Sequence, residues 1–321
     1  MNLKLVKIRT EFLRLSLMII LICTLCIDSS NSQFLPKVSS GKIIRIDSLH
    51  SKYVDQRNID VWLPENYSEN KKYPVLYMHD GQMLFDSSNT WNHQEWQVDE
   101  VLSELIARNE IRECIVVGIW NNGEYRYSEY FPQKVISNIS EDEREIILTK
   151  QLMSKPQSDK YLLFLTEELK PFIDNNFPTL ADRSNTFIMG SSMGGLISLY
   201  ALCEYPDIFG TAACLSTHWP LAKSELIHEK TNEKVSVKFR DYLEINLPEA
   251  GSHKIYFDYG TIGLDSLYKP HQLEVNKIMI KKGYTEKDWV TKEFPGEDHT
   301  ETAWAKRLNI PIRFLLSETD E

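Results

Sequence analysis

The stretch Gly190-Ser191-Ser192-Met193-Gly194 decides the fold, because it places the pattern Gly-x-Ser-x-Gly between two apolar segments. Residues 186–189 before it are strand-like, and residues 196–205 after it are helix-like. A strand, a sharp turn and a helix make a nucleophile elbow, in which the serine sits on a strained turn with its hydroxyl exposed. The pattern therefore predicts Ser192 as a nucleophile. A glycine-rich turn between a strand and a helix, with no chemistry, is the plainer alternative.

Strand-like and helix-like segments alternate around this elbow along most of the chain. Alternation of this kind predicts an α/β fold with a mostly parallel central sheet and helices on both faces. The first two strands have no helix between them, so that edge is predicted to be antiparallel. The predicted strands are 42–46, 59–63, 74–78, 114–120, 186–190, 212–216, 254–259 and 290–294, and the predicted helices are 96–107, 161–173, 270–282 and 301–316.

Two segments interrupt this alternation. Residues 132–156 are polar and charged, and we interpret them as a surface loop with a short helix, with a lid over the site as the alternative. Residues 217–235 directly follow a predicted strand and are interpreted as irregular.

Composition and the first residues restrict the class of protein. The 321 residues carry a formal net charge of −10 and no long basic stretch in the body, which excludes nucleic acid as an expected partner. Residues 1–32 combine basic residues, an apolar run at 15–27 and small residues before Gln33, the pattern of a secretory signal peptide. We therefore expect a single domain at 33–321 that is secreted or periplasmic, with no stable membrane insertion after cleavage. An uncleaved N-terminal anchor is the alternative.

Three cysteines remain in the predicted mature chain, and all of them lie in apolar runs. Cys114, Cys203 and Cys214 do not have the spacing of a metal site, so buried free thiols are expected. One disulfide with a leftover thiol is the alternative in an oxidising compartment.

A serine nucleophile needs a base, and the base needs an orienting acid. His299 lies in a loop after the last predicted strand, where α/β-hydrolases carry the base, whereas His271 begins a helix and is the weaker candidate. Asp265 follows a glycine-containing loop after the strand at 254–259 and is favoured as the acid. Asp258, at the end of that strand, is the open alternative, and Asp298 is a third choice.

The site also needs two backbone donors for the tetrahedral oxyanion. The N–H of Met193, after the nucleophile, is one candidate, and the N–H of Gln82, in the turn His79-Asp80-Gly81-Gln82, is the other. Trp91, His218 and Trp219 lie in predicted loops and are weak candidates for an aromatic wall around the substrate. Ordinary packing in the core is the alternative for each tryptophan.

These stretches, taken in order, resemble the esterase family of α/β-hydrolases that includes esterase D, enterochelin-type esterases, feruloyl esterases and mycolyltransferases. The resemblance spans about residues 40–317 and is carried by His79-Asp80-Gly81-Gln82, the elbow with Gly195, Asp258-Tyr259-Gly260 with Asp265, Pro295-Gly296-Glu297-Asp298-His299, and the segment 121–132 with Arg126, Glu129 and Tyr130. It implies an α/β-hydrolase fold, a Ser192–Asp265–His299 triad and an oxyanion hole from the Gln82 and Met193 amides. Some members of the family work with serine and histidine alone.

The predicted function is therefore a secreted serine hydrolase that cleaves carboxylic esters through an acyl-enzyme on Ser192, without a metal or an organic cofactor. The expected partner is a small-molecule or carbohydrate ester: an acylated carbohydrate, a feruloyl ester or a siderophore-type ester. Two alternatives stay open at this point. One is an acyltransferase on the same fold, and the other is a non-catalytic binding protein.

Overall fold

The central feature of the computed structural model is an eight-stranded sheet with the strand order β1-β2-β4-β3-β5-β6-β7-β8. The structure describes residues 34–152, 155–221 and 230–317. Strand β2 pairs antiparallel with both β1 and β4, and every pairing from β4 to β8 is parallel. The predicted α/β fold and its antiparallel edge are thus confirmed. The strands are β1 (Lys42–Leu49), β2 (Arg57–Leu63), β3 (Val75–His79), β4 (Ile115–Ile119), β5 (Thr186–Ser191), β6 (Thr211–Leu215), β7 (Lys254–Gly260) and β8 (Trp289–Phe294).

The inner strands are apolar throughout because helices cover both faces of the sheet. In β3, Val75 and Tyr77 point into one apolar core, and Leu76 and Met78 point into the other. This alternation follows from the two-residue period of a strand. Both faces of the inner strands are therefore covered by apolar cores.

The helices follow the predicted pattern with some differences in extent. The predicted helix at 161–173 is part of a longer helical stretch that includes a π-helical segment at Phe164–Leu169. The predicted final helix is two helices, because Pro311 cannot donate a backbone hydrogen bond and is tolerated only in a first turn. The helices are α1 (Val98–Ala107), α2 (Arg126–Tyr130), α3 (Glu141–Ile146), α4 (Ser158–Leu163), α5 (Lys170–Asn176), α6 (Met193–Glu204), α7 (Lys230–Asn246), α8 (Tyr268–Lys281), α9 (Glu301–Ala305) and α10 (Asn309–Leu316).

Helix α7 corrects the prediction of an irregular segment at 217–235, which α7 overlaps from Lys230 onward. Its buried side chains Val235, Phe239 and Leu243 recur every four residues and pack into the core. The four-residue spacing was visible in the sequence. Charged residues between them, Lys238, Arg240 and Asp241, mask the stripe when only average hydropathy is considered.

The charged segment 132–156 is more than a surface loop with a short helix. Alongside α3 it contains a 3₁₀ helix at Gln133–Asn138 and a π-helical segment at Ile147–Leu152. Val135 and Ile147 are buried in the same core as the sheet. This packing attaches the segment to the body of the protein at these two residues.

Residues Pro36–Glu321 form one compact unit. The predicted signal peptide at 1–32 lies outside the described residues. Among the helices that the structure describes, none combines the length and the apolar character that crossing a membrane requires. Cys114, Cys203 and Cys214 are buried free thiols, as predicted, and burial raises the pKa of Cys114 to about 12.

Candidate active site

Ser192 occupies the turn between β5 and α6 with φ 57° and ψ −122°. Few side chains tolerate this strained backbone, which is the conformation expected of a nucleophile elbow. Strand and helix meet so closely here that a Cβ on Gly190 would lie 2.8 Å from the carbonyl carbon of Gly194. The glycines therefore make the turn possible, and the turn presents Ser192 at the carboxyl edge of the sheet.

His299 and Asp265 meet at the same edge of the sheet. His299 lies in the loop between β8 and α9, and Asp265 lies in a one-turn helix, Gly263–Leu267, just after β7. The His299 Nδ1 atom is 2.6 Å from Asp265 Oδ1. The Gly260 amide donates to Asp265 Oδ2 at 2.6 Å. Ser192 and His299 line one cavity, so the elbow, the histidine and its carboxylate form one cluster.

The carboxyl group of Asp265 is fully buried yet favours its ionised form. Burial acts to raise its pKa, but the hydrogen bond and charge of His299, with hydrogen bonds from Ser216 and the Gly260 amide, hold it below its usual value. An ionised carboxylate on Nδ1 orients an imidazole so that Nε2 can accept a proton. The pair has the electrostatics of a base and its orienting acid.

Ser216 is a residue of the site that sequence reasoning missed. Its hydroxyl donates to Asp265 Oδ2 at 2.5 Å and accepts hydrogen bonds from Trp304 Nε1 at 2.9 Å and Arg307 Nη2 at 3.0 Å. It directly follows β6 and has a left-handed φ of 40°. That position, between the strands that carry Ser192 and Asp265, was the available signal.

The alternative acid, Asp258, is engaged elsewhere. Its carboxylate binds Arg307 through Nη2 at 3.0 Å and Nε at 3.2 Å, and both side chains are almost completely buried. Burial raises the pKa of Asp258, although Arg307 acts in the opposite direction. Asp298 accepts from the Thr300 hydroxyl at 2.7 Å. Among the described residues, Asp265 is thus the one candidate acid that hydrogen-bonds His299.

The weaker candidate base, His271, lies apart from this cluster. Its Nδ1 faces the Ser236 hydroxyl at 3.4 Å and Arg240 Nη1 at 3.3 Å, on the surface between α7 and α8.

The two candidate oxyanion donors come from two turns at the same edge. Met193 is the first residue of α6, where the helix does not use the backbone N–H. Gln82 lies in a one-turn helix after β3 and lines the cavity with Ser192. A Cβ on Gly81 would lie 2.4 Å from the carbonyl carbon of Gly118 in β4, so glycine lets this turn pack tightly.

A partly buried ion pair stiffens the turn that carries Gln82. Asp80 Oδ1 and Oδ2 accept from Arg126 Nε and Nη2, both at 2.7 Å, and Asn121 Nδ2 donates to Asp80 at 2.7 Å. Burial opposes ionisation, but Arg126 lowers the pKa of Asp80 below its usual value. Asp80 itself has a left-handed φ of 58°. The pair therefore holds a strained backbone next to the candidate oxyanion site.

The cavity next to Ser192 and His299 has a volume of about 470 Å³. Trp91 lies on its wall with 83% of its surface exposed, whereas Trp96 is buried. His218 and Trp219 do not line the cavity, which corrects the expectation that they form its wall. Trp219 Nε1 donates to Gln272 at 3.0 Å inside the core. The other lining residues are mostly polar: Asp80, Gln82, Met83, Asn92, Gln94, Asn121, Arg126, Ser191, Thr300, Glu301 and Trp304.

A larger cavity, of about 750 Å³, lies at the opposite edge of the sheet, where the parallel strands begin. Its lining includes Arg112, Arg183 and Lys254. Ligands of open α/β sheets bind at the carboxyl ends of the strands, so this cavity is not the candidate active site.

Comparison with known proteins agrees with this geometry. Residues 51–311 match the family described as "Putative esterase". The chain belongs to this esterase family. It is a carboxylic ester hydrolase.

The esterase is similar to YbbA, an uncharacterized protein of Bacillus subtilis, with 27% identity over 84% of this chain and 96% of YbbA. Two solved structures share its fold. The ferulic acid esterase of the anaerobic fungus Anaeromyces mucronatus is 21% identical, with a TM-score of 0.58 over 90% of this chain and 95% of that one. The enterobactin esterase of Shigella flexneri is 17% identical, with a TM-score of 0.61 over 89% of this chain and 61% of that one.

Proposed function

We propose that the esterase hydrolyses its substrate through an acyl-enzyme on Ser192, with His299 as the base and Asp265 as the acid that orients it. One observation carries the proposal: the 2.6 Å contact of His299 Nδ1 with Asp265, in the cavity that Ser192 also lines. The strained elbow at Ser192 adds support, because strain of this kind is kept where a side chain must be presented for reaction.

The chemistry runs in two halves. His299 Nε2 takes the proton of the Ser192 hydroxyl as Oγ bonds to the ester carbonyl carbon, and the amides of Gln82 and Met193 donate to the resulting oxyanion. The intermediate collapses, the bond to the alcohol oxygen breaks, and His299 gives its proton to that oxygen. Water then attacks the acyl-enzyme with His299 again accepting a proton, and Ser192 Oγ leaves with the proton that His299 returns.

We infer an ester with an aromatic or carbohydrate part as the substrate. Trp91 is a large apolar side chain left 83% exposed on the cavity wall, and a flat ring in that position can stack on a sugar or an aromatic acid. Asn92 and Gln94 on the same wall supply hydrogen-bonding groups of the kind that hydroxylated ligands need. The two structural relatives act, by their names, on ferulic acid esters and on enterobactin.

We further propose that the esterase is secreted or periplasmic. Support comes from the sequence of residues 1–32, which has the basic start, the short apolar run and the small residues of a cleaved signal peptide.

The test is hydrolysis of p-nitrophenyl acetate and methyl ferulate by the protein starting at Gln33. Ser192→Ala and His299→Ala should each lower kcat by at least about 1,000-fold. His271→Ala is the matched control, since it removes an imidazole at the rejected position. It should stay within about 10-fold of the starting enzyme.

Mass spectrometry should locate a fluorophosphonate adduct on the peptide that contains Ser192. Full activity of Ser192→Ala, or an adduct elsewhere, would reject the proposed nucleophile. For the substrate class, Trp91→Ala should raise KM for methyl ferulate by about 10-fold and leave p-nitrophenyl acetate nearly unchanged. An equal change with both substrates would reject a stacking role for Trp91.

A further inference from the structure

Tyr268, the first residue of α8, is fully buried beside the candidate catalytic residues. Its ring packs edge-on against the His299 ring, with centroids 5.6 Å apart and planes at 81°. Burial raises the pKa of Tyr268, and the Ser192 side chain lies near enough to the phenol to act against that effect. One tyrosine therefore packs against the proposed base and lies close to the proposed nucleophile.

His218 holds the phenol from the other side. Its Nδ1 is 2.6 Å from the Tyr268 hydroxyl, and its backbone N–H donates to the Ser192 carbonyl at 3.1 Å. The imidazole is almost completely buried. His218 is thus attached to the elbow through its backbone and to Tyr268 through its side chain, which fixes the distance between the phenol and the turn.

The phenol has a hydrogen-bonding capacity beyond its contact with His218. A tyrosine hydroxyl has one proton to donate and can also accept, and the contact with His218 uses only one of these two capacities. Burial raises the pKa of Tyr268 well above its usual value, so the phenol keeps its proton throughout the working pH range. A phenol that accepts from His218 Nδ1–H donates to Ser192 Oγ, which leaves the serine proton free to face His299.

We propose that Tyr268 is a further catalytic residue of the esterase, which hydrogen-bonds Ser192 Oγ, and that His218 is its positioning residue. The inference rests on the proposed Ser192 mechanism. During acylation the bond holds Oγ in the orientation from which His299 removes its proton. During deacylation the C–Oγ bond breaks, Oγ takes the electron pair and the proton of His299, and Tyr268 donates to the departing oxygen without losing its own proton.

This assignment gives His218 a role. From the sequence alone, this residue was instead a weak candidate for a wall around the substrate. A buried tyrosine needs one partner for its hydroxyl, and any core residue could supply it. A histidine that is also bonded to the backbone of the nucleophile ties that partner to the reacting atom.

The test is Tyr268→Phe, which keeps the ring against His299 and removes the hydroxyl alone. We expect kcat for p-nitrophenyl acetate and the rate of fluorophosphonate labelling to fall together by about 10- to 100-fold, the loss of one well-placed hydrogen bond. KM should change by less than about 3-fold, because the hydroxyl does not line the substrate cavity. Tyr259→Phe is the matched control, since its hydroxyl bonds Glu293 at 2.9 Å away from the cluster.

A second variant keeps the inference testable if Tyr268→Phe folds poorly. His218→Leu should reproduce part of the loss in kcat, and the double variant His218→Leu/Tyr268→Phe should be no slower than Tyr268→Phe alone. A wild-type kcat in folded Tyr268→Phe, or losses that multiply in the double variant, would overturn the inference while Ser192→Ala remains inactive. Activity in Ser192→Ala would instead overturn the mechanism on which it rests.

Discussion

Replacing each of two buried aspartates separates catalysis from stability in this esterase. Asp265 and Asp258 both lie just after or within β7, both are fully buried, and both contact Ser216. Their partners differ, because Asp265 binds His299 and Asp258 binds Arg307. Asp265→Asn should therefore impair the reaction, and Asp258→Asn should impair folding.

The contacts give the size of each effect. An amide at position 265 no longer selects the His299 tautomer with Nε2 free, and the same change in a serine triad costs about 10⁴ in kcat, or about 5.5 kcal/mol. The hydrogen bonds from Ser216 and the Gly260 amide can persist, so stability should fall by only about 1–2 kcal/mol. Asp258→Asn leaves a buried guanidinium without its counter-charge, which costs about 3–5 kcal/mol.

The assay pairs kcat for p-nitrophenyl acetate with urea unfolding at pH 7 for each variant. Asp265→Asn should lose activity at nearly unchanged stability, and Asp258→Asn should unfold at lower urea while its folded fraction keeps kcat within about 10-fold. A loss smaller than about 10-fold in Asp265→Asn would refute the reasoning, because the enzyme would then work with serine and histidine alone.

Three further predictions concern the elbow and the charged groups. Gly190→Ala should lower kcat by at least about 100-fold, because the new Cβ would force Gly194 away and displace the elbow; activity on p-nitrophenyl acetate tests this. Burial and neighbouring carboxylates raise the pKa of Glu100 to about 7. Protonated Glu100 stabilises the folded state; this contribution is complete below the usual glutamate pKa and is lost as pH rises through 7. Glu100→Gln should therefore raise Tm at pH 8 more than at pH 5. The Asp80 pKa is lowered by Arg126, so the pair stabilises the fold above the usual aspartate pKa and weakens as pH falls below it; Asp80→Asn should flatten the loss of urea resistance between pH 5 and pH 3.

Local patterns were sufficient to predict most of the fold. The apolar strands and their parallel order follow from short buried runs separated by helices, and the order of elements limits the ways in which such a sheet can be arranged. Helix α7 was missed because its stripe of Val235, Phe239 and Leu243 is embedded in charged residues. The burial of this helix depends on contacts with residues that are distant in sequence, which a local pattern does not contain.

The candidate site divides in the same way. Ser192 and His299 could be chosen because each sits in a recognisable local context, a turn between a strand and a helix or a loop after the last strand. The choice between Asp258 and Asp265 could not be settled, because it depends on Arg307, which is distant in sequence and nearby in space. Tyr268 was missed for a similar reason, since it begins an ordinary helix and only the fold brings it to the elbow.

The role of Arg307 follows from adding up the buried charges. Asp258 and Asp265 are two carboxylates linked through Ser216, whose backbone N–H donates to Asp258 and whose hydroxyl donates to Asp265. Two unbalanced negative charges this close would drive one of them to take up a proton. Arg307 lies 3.0 Å from Asp258 and 3.9 Å from Asp265, so it neutralises the first and partly balances the second. One negative charge then remains for His299, and in the proposed mechanism it is compensated when the imidazole takes the serine proton. Burial raises the pKa of Asp265, but His299, Ser216 and the Gly260 amide lower it below its usual value. The Asp258–Arg307 pair leaves this carboxylate as the unbalanced negative charge beside the histidine.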